Sequence, residues 1–218
     1  MIPFAMIDRF IPNIRVIAEI GAADGEDTKR YLTRYPNAMV LAFEPLPANV
    51  QKLLVLWIGD EARLRVFPVA LGYVNGKKTF YASGGQPPGR SSTLPWPYSG
   101  SLLPPKEHLT VHPWCTFAET QVHVVRFDEV ASTIAPRPTD VDFVHIDVQG
   151  SELDALCGMG CYLDTVRGVW IEVSTVELYE GQPLREDVSA FMRGAGFTLR
   201  LDTVGVESQI AGDQLWTR

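Results

Sequence analysis

Apolar residues in the first third of the chain fall into three short runs, Val16 to Ile20, MVLAFE at 39–44 and RVFPV at 65–69. The segments between them carry apolar residues every three or four positions, which is helical spacing. After the first run, GAADGED turns directly into a helix with Thr28, Tyr31, Leu32 and Tyr35 on one face. After the second, PLPANVQKLLVLWIGD places Val50, Leu53, Leu54 and Trp57 at helical spacing. Strands alternating with ten-residue helices predict a parallel sheet covered on both faces.

The alternation breaks at LGYVNGKKTFYAS, which reads as a hairpin turned at Asn75-Gly76. A Gly/Pro/Ser-rich stretch follows, and residues 83–120 form one long segment holding Trp96, Tyr98 and Trp114. A loop of this length inside a compact unit is usually functional, and bulky aromatics seldom accumulate in a linker. We read 83–120 as a substrate-facing loop. The sheet resumes with TQVHVVRF (120–127) and VDFVHID (141–147), then a helix in which Ser151 is a candidate cap, Asp154 completes a capping box, and Leu153, Leu156 and Cys157 point inward. VRGVWIEVS (166–174) is a further parallel strand, and LREDVSAFMRGAG is a helix with Leu184, Val188, Phe191 and Met192 on one side. GFTLRLDTV and GDQLWTR are too close for a crossover helix, so they are expected to pair antiparallel.

Composition narrows the class. A chain of 218 residues with 46% hydrophobic and 21% charged residues suits one globular domain spanning 1–218. Its 19 basic and 26 acidic side chains leave a net charge of −7, which argues against a nucleic-acid partner held by bulk electrostatics. The opening MIPFAMIDRFIPNIR is interrupted by Asp8, Arg9 and two prolines, so neither a signal peptide nor a membrane span is expected and the cytoplasm is the expected location. Cys115, Cys157 and Cys161 make no C-x-x-C pair; the 157/161 spacing suits one helix face, and packing is their expected role. Oligomeric state is left open.

The chemistry concentrates at strand ends. Glu19-Ile20-Gly21-Ala22-Ala23-Asp24-Gly25 is E-x-G-x-x-x-G, with Ala23 where a dinucleotide loop needs its middle glycine. Carboxylates at Glu19 and Asp24 would repel a phosphate and suit a cationic ligand, which S-adenosylmethionine is, with a sulfonium, an ammonium and no phosphate. Glu44, before the Pro45 turn at the tip of the second strand, stands where an acid accepts hydrogen bonds from ribose hydroxyls. Ala70 and Leu71 offer small apolar groups for an adenine. His145 and Asp147 share parity at the tip of an apolar strand, and Glu172 lies near the end of the next one. A strand-tip acid beside a sheet crevice is a site candidate, so Asp147, with His145 and Glu172, is the candidate catalytic set. Asp147, Glu152 and Glu172 are also compatible with a divalent metal, but their spacing is not a metal signature and none is expected.

These residues bring the chain close to a known family. VIAEIGAADGEDT, VLAFEPLPANVQKL, VFPVALGYVNGKKTFY, SGSLL, VVRFDEV, VDFVHIDVQGSELDALCGM, VWIEVS and GAGFTL resemble the FkbM-type methyltransferases, a branch of the class I S-adenosylmethionine-dependent fold. The resemblance implies an α/β, doubly wound, mostly parallel seven-stranded sheet with a C-terminal antiparallel strand and a long insertion after the third strand. It implies O-methylation of a sugar or other small hydroxylated acceptor. It puts Glu19, Gly21 and Gly25 at the methionine end of the cofactor, Glu44 at the ribose and Asp147 between cofactor and acceptor. Ser101 and Glu152 match recurrent family positions and join Trp96 and Tyr98 as candidate substrate residues. His145 and Gln149 stand where Lys and Glu are common, and Glu19 replaces the more usual Asp. An N-methyltransferase and a non-catalytic S-adenosylmethionine-binding protein are the alternatives.

Overall fold

The computed structural model describes residues 2–58, 62–89, 96–134, 140–206 and 208–218. A short helix α1 (Phe4–Phe10) leads into β1 (Val16–Ile20), α2 (Glu26–Arg34), β2 (Met39–Phe43), α3 (Pro47–Trp57) and β3 (Leu64–Phe67). Next come β4 (Ala70–Leu71), β5 (Gly76–Gly85), α4 (His108–Val111), β6 (Cys115–Val125) and α5 (Phe127–Ala131). The chain ends with β7 (Phe143–Ile146), α6 (Glu152–Gly158), a 3-10 turn (Gly160–Asp164), β8 (Gly168–Ser174), α7 (Arg185–Gly194), β9 (Thr198–Asp202) and β10 (Ala211–Thr217).

Among the described residues, seven strands form one sheet in the order β3-β2-β1-β7-β8-β10-β9. Neighbours from β3 to β8 are parallel, and β10 runs antiparallel to both β8 and β9. Successive residues of each strand point to opposite faces, and both faces are covered, so the central strands read as continuous apolar runs. Ala18, Ile20, Val144, Ile146 and Ile171 pack with Leu156, Met159 and Met192 on one side. Ile17, Val40, Ala42, Phe143 and Trp170 pack with Ile7, Tyr31 and Leu53 on the other. Each buried Val, Ile, Leu, Met or Phe among them contributes about 1.5–3 kcal/mol. The strand order reverses between β1 and β7, where a doubly wound sheet opens a crevice beyond its strand ends.

Several expectations are corrected. The segment around Asn75-Gly76 does not close a hairpin: β4 and β5 flank β6 from opposite sides in a separate sheet, order β4-β6-β5. The Asn75 side chain accepts the Arg126 N–H at 2.8 Å, tying the turn to the end of β6. The strand beginning at 120 therefore does not extend the main sheet, and it starts earlier, at Cys115. The ends of 83–120 are strand, with Ser83 opposite Phe117 and Gly85 opposite Cys115, while residues 90–95 lie outside the described residues. Leu54 is exposed, and the Trp57 side chain lies outside the described residues. Ser151 precedes α6 without a side-chain cap, so Asp154 completes no capping box. Cys157 and Cys161 are exposed: Gly158, and not Cys157, faces inward on α6, and the helix ends before Cys161, which sits in a separate turn.

Candidate active site

The glycine loop brings the exits of β1 and β7 into contact. Gly21 has φ +88°, and a Cβ there would sit 1.9 Å from the Asp147 carbonyl oxygen, so only glycine allows this approach. Gly25 takes a left-handed conformation at the start of α2, where a Cβ would meet Leu53 and Leu56. Between them the Ala23 N–H donates to Glu44 Oε2 at 3.0 Å, and the Leu46 N–H donates to Glu44 Oε1 at 2.8 Å. Burial pushes the Glu44 pKa up to about 7, with those donors pulling it back. Glu19 is buried beneath the loop and accepts the Thr28 hydroxyl proton at 2.5 Å; burial carries its pKa up to about 8.

At the exit of β7, Asp147 opens onto the crevice. Enough protein surrounds its carboxyl to push the pKa up, while a Gln149 hydrogen bond and His145 act in the other direction. The chain turns sharply at Gln149 (φ +56°) and Gly150 (φ +106°). Gln149 Nε2 donates to Asp147 Oδ1 at 2.7 Å and to Glu172 Oε2 at 2.6 Å. His145 is buried with its Nδ1 lacking a hydrogen-bond partner, and burial lowers its pKa, which keeps the ring neutral at neutral pH.

Two connected depressions form one groove. The first is lined by Gly21, Ala23, Phe43, Glu44, Pro45, Ala70, Leu71, Tyr98, Asp147 and Gln149, among others. The second is lined by Glu19, Ala22, Asp24, Asp27, Trp96, His145 and Asp147, with Gly21, Ala23 and Tyr98 shared. His145 and Asp147 thus face one space, as their parity requires. Tyr98 reaches across from the insertion and donates to Asp24 Oδ2 at 2.6 Å. Trp96 packs edge-on against Tyr98 and Trp114.

Two candidate substrate residues lie elsewhere. Ser101 is fully buried and donates to the Gln149 carbonyl at 2.6 Å, while accepting the Leu103 N–H. Glu152 is buried and accepts the Gly150 N–H at 2.9 Å. Both brace the turn after β7 instead of lining either depression. Sequence reasoning noted Gln149 only as a departure from the family pattern, without the bridging that follows from its left-handed backbone, and missed Tyr179, whose hydroxyl lies 3.0 Å from Gln149 Oε1 and 2.9 Å from the Ser99 carbonyl. Among the described residues no group of three or more His, Cys, Asp or Glu is arranged to hold a metal ion.

The sheet order, the crevice at its reversal and an acid-lined groove without a phosphate cradle define a class I S-adenosylmethionine-dependent methyltransferase. The cofactor suits the groove: the apolar wall at Ala70 and Leu71 fits a base, and the carboxylates fit a ligand with two cationic centres. Residues 19–199 match the family model described as the methyltransferase FkbM domain, and the chain belongs to that family. It is 36% identical over 172 residues to the 2-O-methyltransferase NoeI of Sinorhizobium fredii, covering 78% of this chain and 68% of that protein. Among solved structures, magnesium protoporphyrin IX methyltransferase from Synechocystis, with bound S-adenosylmethionine, shares the fold at TM-score 0.52 and 9% identity, covering 99% of this chain and 74% of that one. A putative tRNA methyltransferase from Streptococcus pneumoniae does so at TM-score 0.52 and 10% identity, covering 100% and 70%. Among the described residues no helix is long and apolar enough to cross a membrane.

Proposed function

We propose that the protein transfers the methyl group of S-adenosylmethionine to a hydroxyl of a small molecule or sugar, with Asp147 as the group that receives the hydroxyl proton. The observation that carries this reading is the opening of Asp147 onto the groove, between the Glu44 end and the wall made by Trp96 and Tyr98. Glu44 would hold the ribose, Ala70 and Leu71 the adenine, and Gly21 and Asp24 with buried Glu19 the methionine end. When bound, the cofactor supplies an electrophilic methyl group. The chain supplies placement, which holds the acceptor oxygen in line, and a carboxylate whose raised pKa makes it a stronger base than an ordinary aspartate. Residues 96–114 of the insertion would form the acceptor wall. The 2-O-methyltransferase relative supports an oxygen acceptor.

The test is S-adenosylhomocysteine release with a panel of neutral methyl glycosides, their deoxy analogues and amino sugars. A glycoside loses turnover when its reacting hydroxyl is removed. Asp147→Asn should lower single-turnover transfer by about 10² to 10⁴ if general-base transfer matters, with S-adenosylhomocysteine affinity retained. Wild-type transfer by that variant would move the base to His145 or Glu172. Exclusive methylation of amines would favour the competing N-methyltransferase reading, which the acidic lining at Glu19, Asp24 and Asp27 also suits.

A further inference from the structure

We propose that Gln149 is a positioning residue that clamps the carboxyl groups of Asp147 and Glu172 into one proton-sharing pair at the wall of the groove. A primary amide nitrogen carries two hydrogens, and here each has its own carboxyl oxygen, at 2.7 Å on Asp147 and 2.6 Å on Glu172. The amide is held from the other end by the Tyr179 hydroxyl, within 3.0 Å of Oε1. That hydroxyl has one proton, which it shares between Gln149 Oε1 and the Ser99 carbonyl at 2.9 Å. The backbone is set by the Ser101 hydroxyl, which donates to the Gln149 carbonyl at 2.6 Å. A left-handed φ of +56° at a non-glycine residue is strained and needs this over-determination.

The chemistry of the pair follows from its surroundings. Two carboxyls this close cannot both ionise readily, so one retains a proton. Glu172 is the more buried partner, and burial, then Asp147, Glu152 on α6 and Asp213 on β10 raise its pKa well above the ordinary range. For Asp147, the protein around its carboxyl and Asp27 on α2 raise the pKa, while the hydrogen bond from Gln149 and the contact with Glu172 lower it, as does His145 once it is protonated. Glu172 is the partner further from solvent, so the shared proton is assigned to it, and Asp147, which opens onto the groove, is the member left to carry the charge. Gln149 holds the two carboxyls together by giving each one N–H. The use of Asp147 as the proton acceptor rests on the function proposed above; the clamp itself does not.

The test uses the full chain saturated with S-adenosylhomocysteine. Carboxyl ¹³C NMR follows ionisation of Asp147 and Glu172 in the wild type, Gln149→Met and Gln149→Asn, with Asp147→Asn and Glu172→Gln for assignment. Met matches Gln in length without a donor. Asn tolerates the left-handed backbone but is too short to bridge both groups, so it keeps the test alive if the Met variant does not fold. The clamp predicts an upward shift of at least about one pH unit in the Asp147 ionisation of Gln149→Met, since an N–H donor to the carboxylate is lost, and in Gln149→Asn a shift of that size in whichever of the two carboxyls loses its donor. The S-adenosylhomocysteine affinity of each variant is measured first, so that every titration is recorded at saturation. Titration curves that coincide with the wild type would overturn the proposal. Because no acceptor is needed, this outcome is separate from failure to methylate any hydroxyl, which would overturn the proposed function alone.

Discussion

Gly21→Ala is the sharpest perturbation of the site, because the same atom position serves the fold and the groove. Its Cβ would stand 1.9 Å from the Asp147 carbonyl oxygen, where ordinary contact begins near 3.4 Å, so the tips of β1 and β7 must part by about 1.5 Å. Such overpacking costs about 1–3 kcal/mol. The left-handed φ of +88° adds about 1–2 kcal/mol for a residue with a Cβ. The sum, about 2–5 kcal/mol, lowers Tm by roughly 5–20 °C in a chain of this size. Gly181→Ala is the control: it has φ +71° and nothing within 4 Å of the added methyl, so only the backbone part is lost. Thermal unfolding of both variants and calorimetry with S-adenosylhomocysteine separate the two contributions. Gly21→Ala should unfold at the lower temperature and lose measurable binding, and Gly181→Ala should bind as the wild type does. Equal Tm losses with unchanged binding in Gly21→Ala would refute the argument that the β1–β7 contact positions the groove.

Glu44→Gln weakens S-adenosylhomocysteine binding by about 10- to 150-fold, equivalent to 1.5–3 kcal/mol for hydrogen bonds to a charged group; unchanged affinity in calorimetry would remove Glu44 from the site. The ligand-free protein loses stability as pH rises from 5 to 8. Burial holds Glu19 at about 8 and both Glu44 and Glu152 at about 7, above their ordinary value, so the folded state keeps protons that the unfolded chain releases. A Tm that stays level or rises across that window would contradict it. Glu152→Ala orphans the Gly150 N–H and costs about 1–3 kcal/mol in chemical denaturation. Tyr98→Phe, which removes the hydrogen bond to Asp24 across the groove, should speed S-adenosylhomocysteine dissociation in stopped flow, and an unchanged rate would make that contact irrelevant to release.

The parts of this protein legible in its sequence are those whose pattern has one physical solution. The central strands β1, β7 and β8 are buried on both faces, so their mostly apolar runs are legible as strands, and Glu19, His145 and Glu172, which interrupt them, stand out because burying such groups is costly. The strand Cys115–Val125 instead is buried only at Cys115, Val122 and Val124 and exposed from Ala118 through Gln121, so it carries no continuous apolar face that would assign it to one sheet. Its assignment depends on a pairing with β5 across the whole insertion and on a contact between Asn75 and Arg126, neither of which is local. Cys157 was misplaced for a similar reason. Gly158 approaches the Gly72 carbonyl so closely that a Cβ would stand 2.1 Å away, and this contact with a different element turns position 158 inward and 157 outward.

The candidate site divides along the same line. Glu19 and Glu44 are legible because each acid directly follows an apolar run, and the strand fixes where it lands. Gln149 carries no such mark. Its side chain bridges two carboxyls only because residues 149 and 150 take positive φ angles, which aim it back across the sheet toward β8. Tyr179 is 30 residues further on, in a segment without periodicity, and meets Gln149 only after β8 has been laid beside β7. A residue that works by holding two others depends on all three positions being set by the fold, so its role becomes visible only when their separations are known.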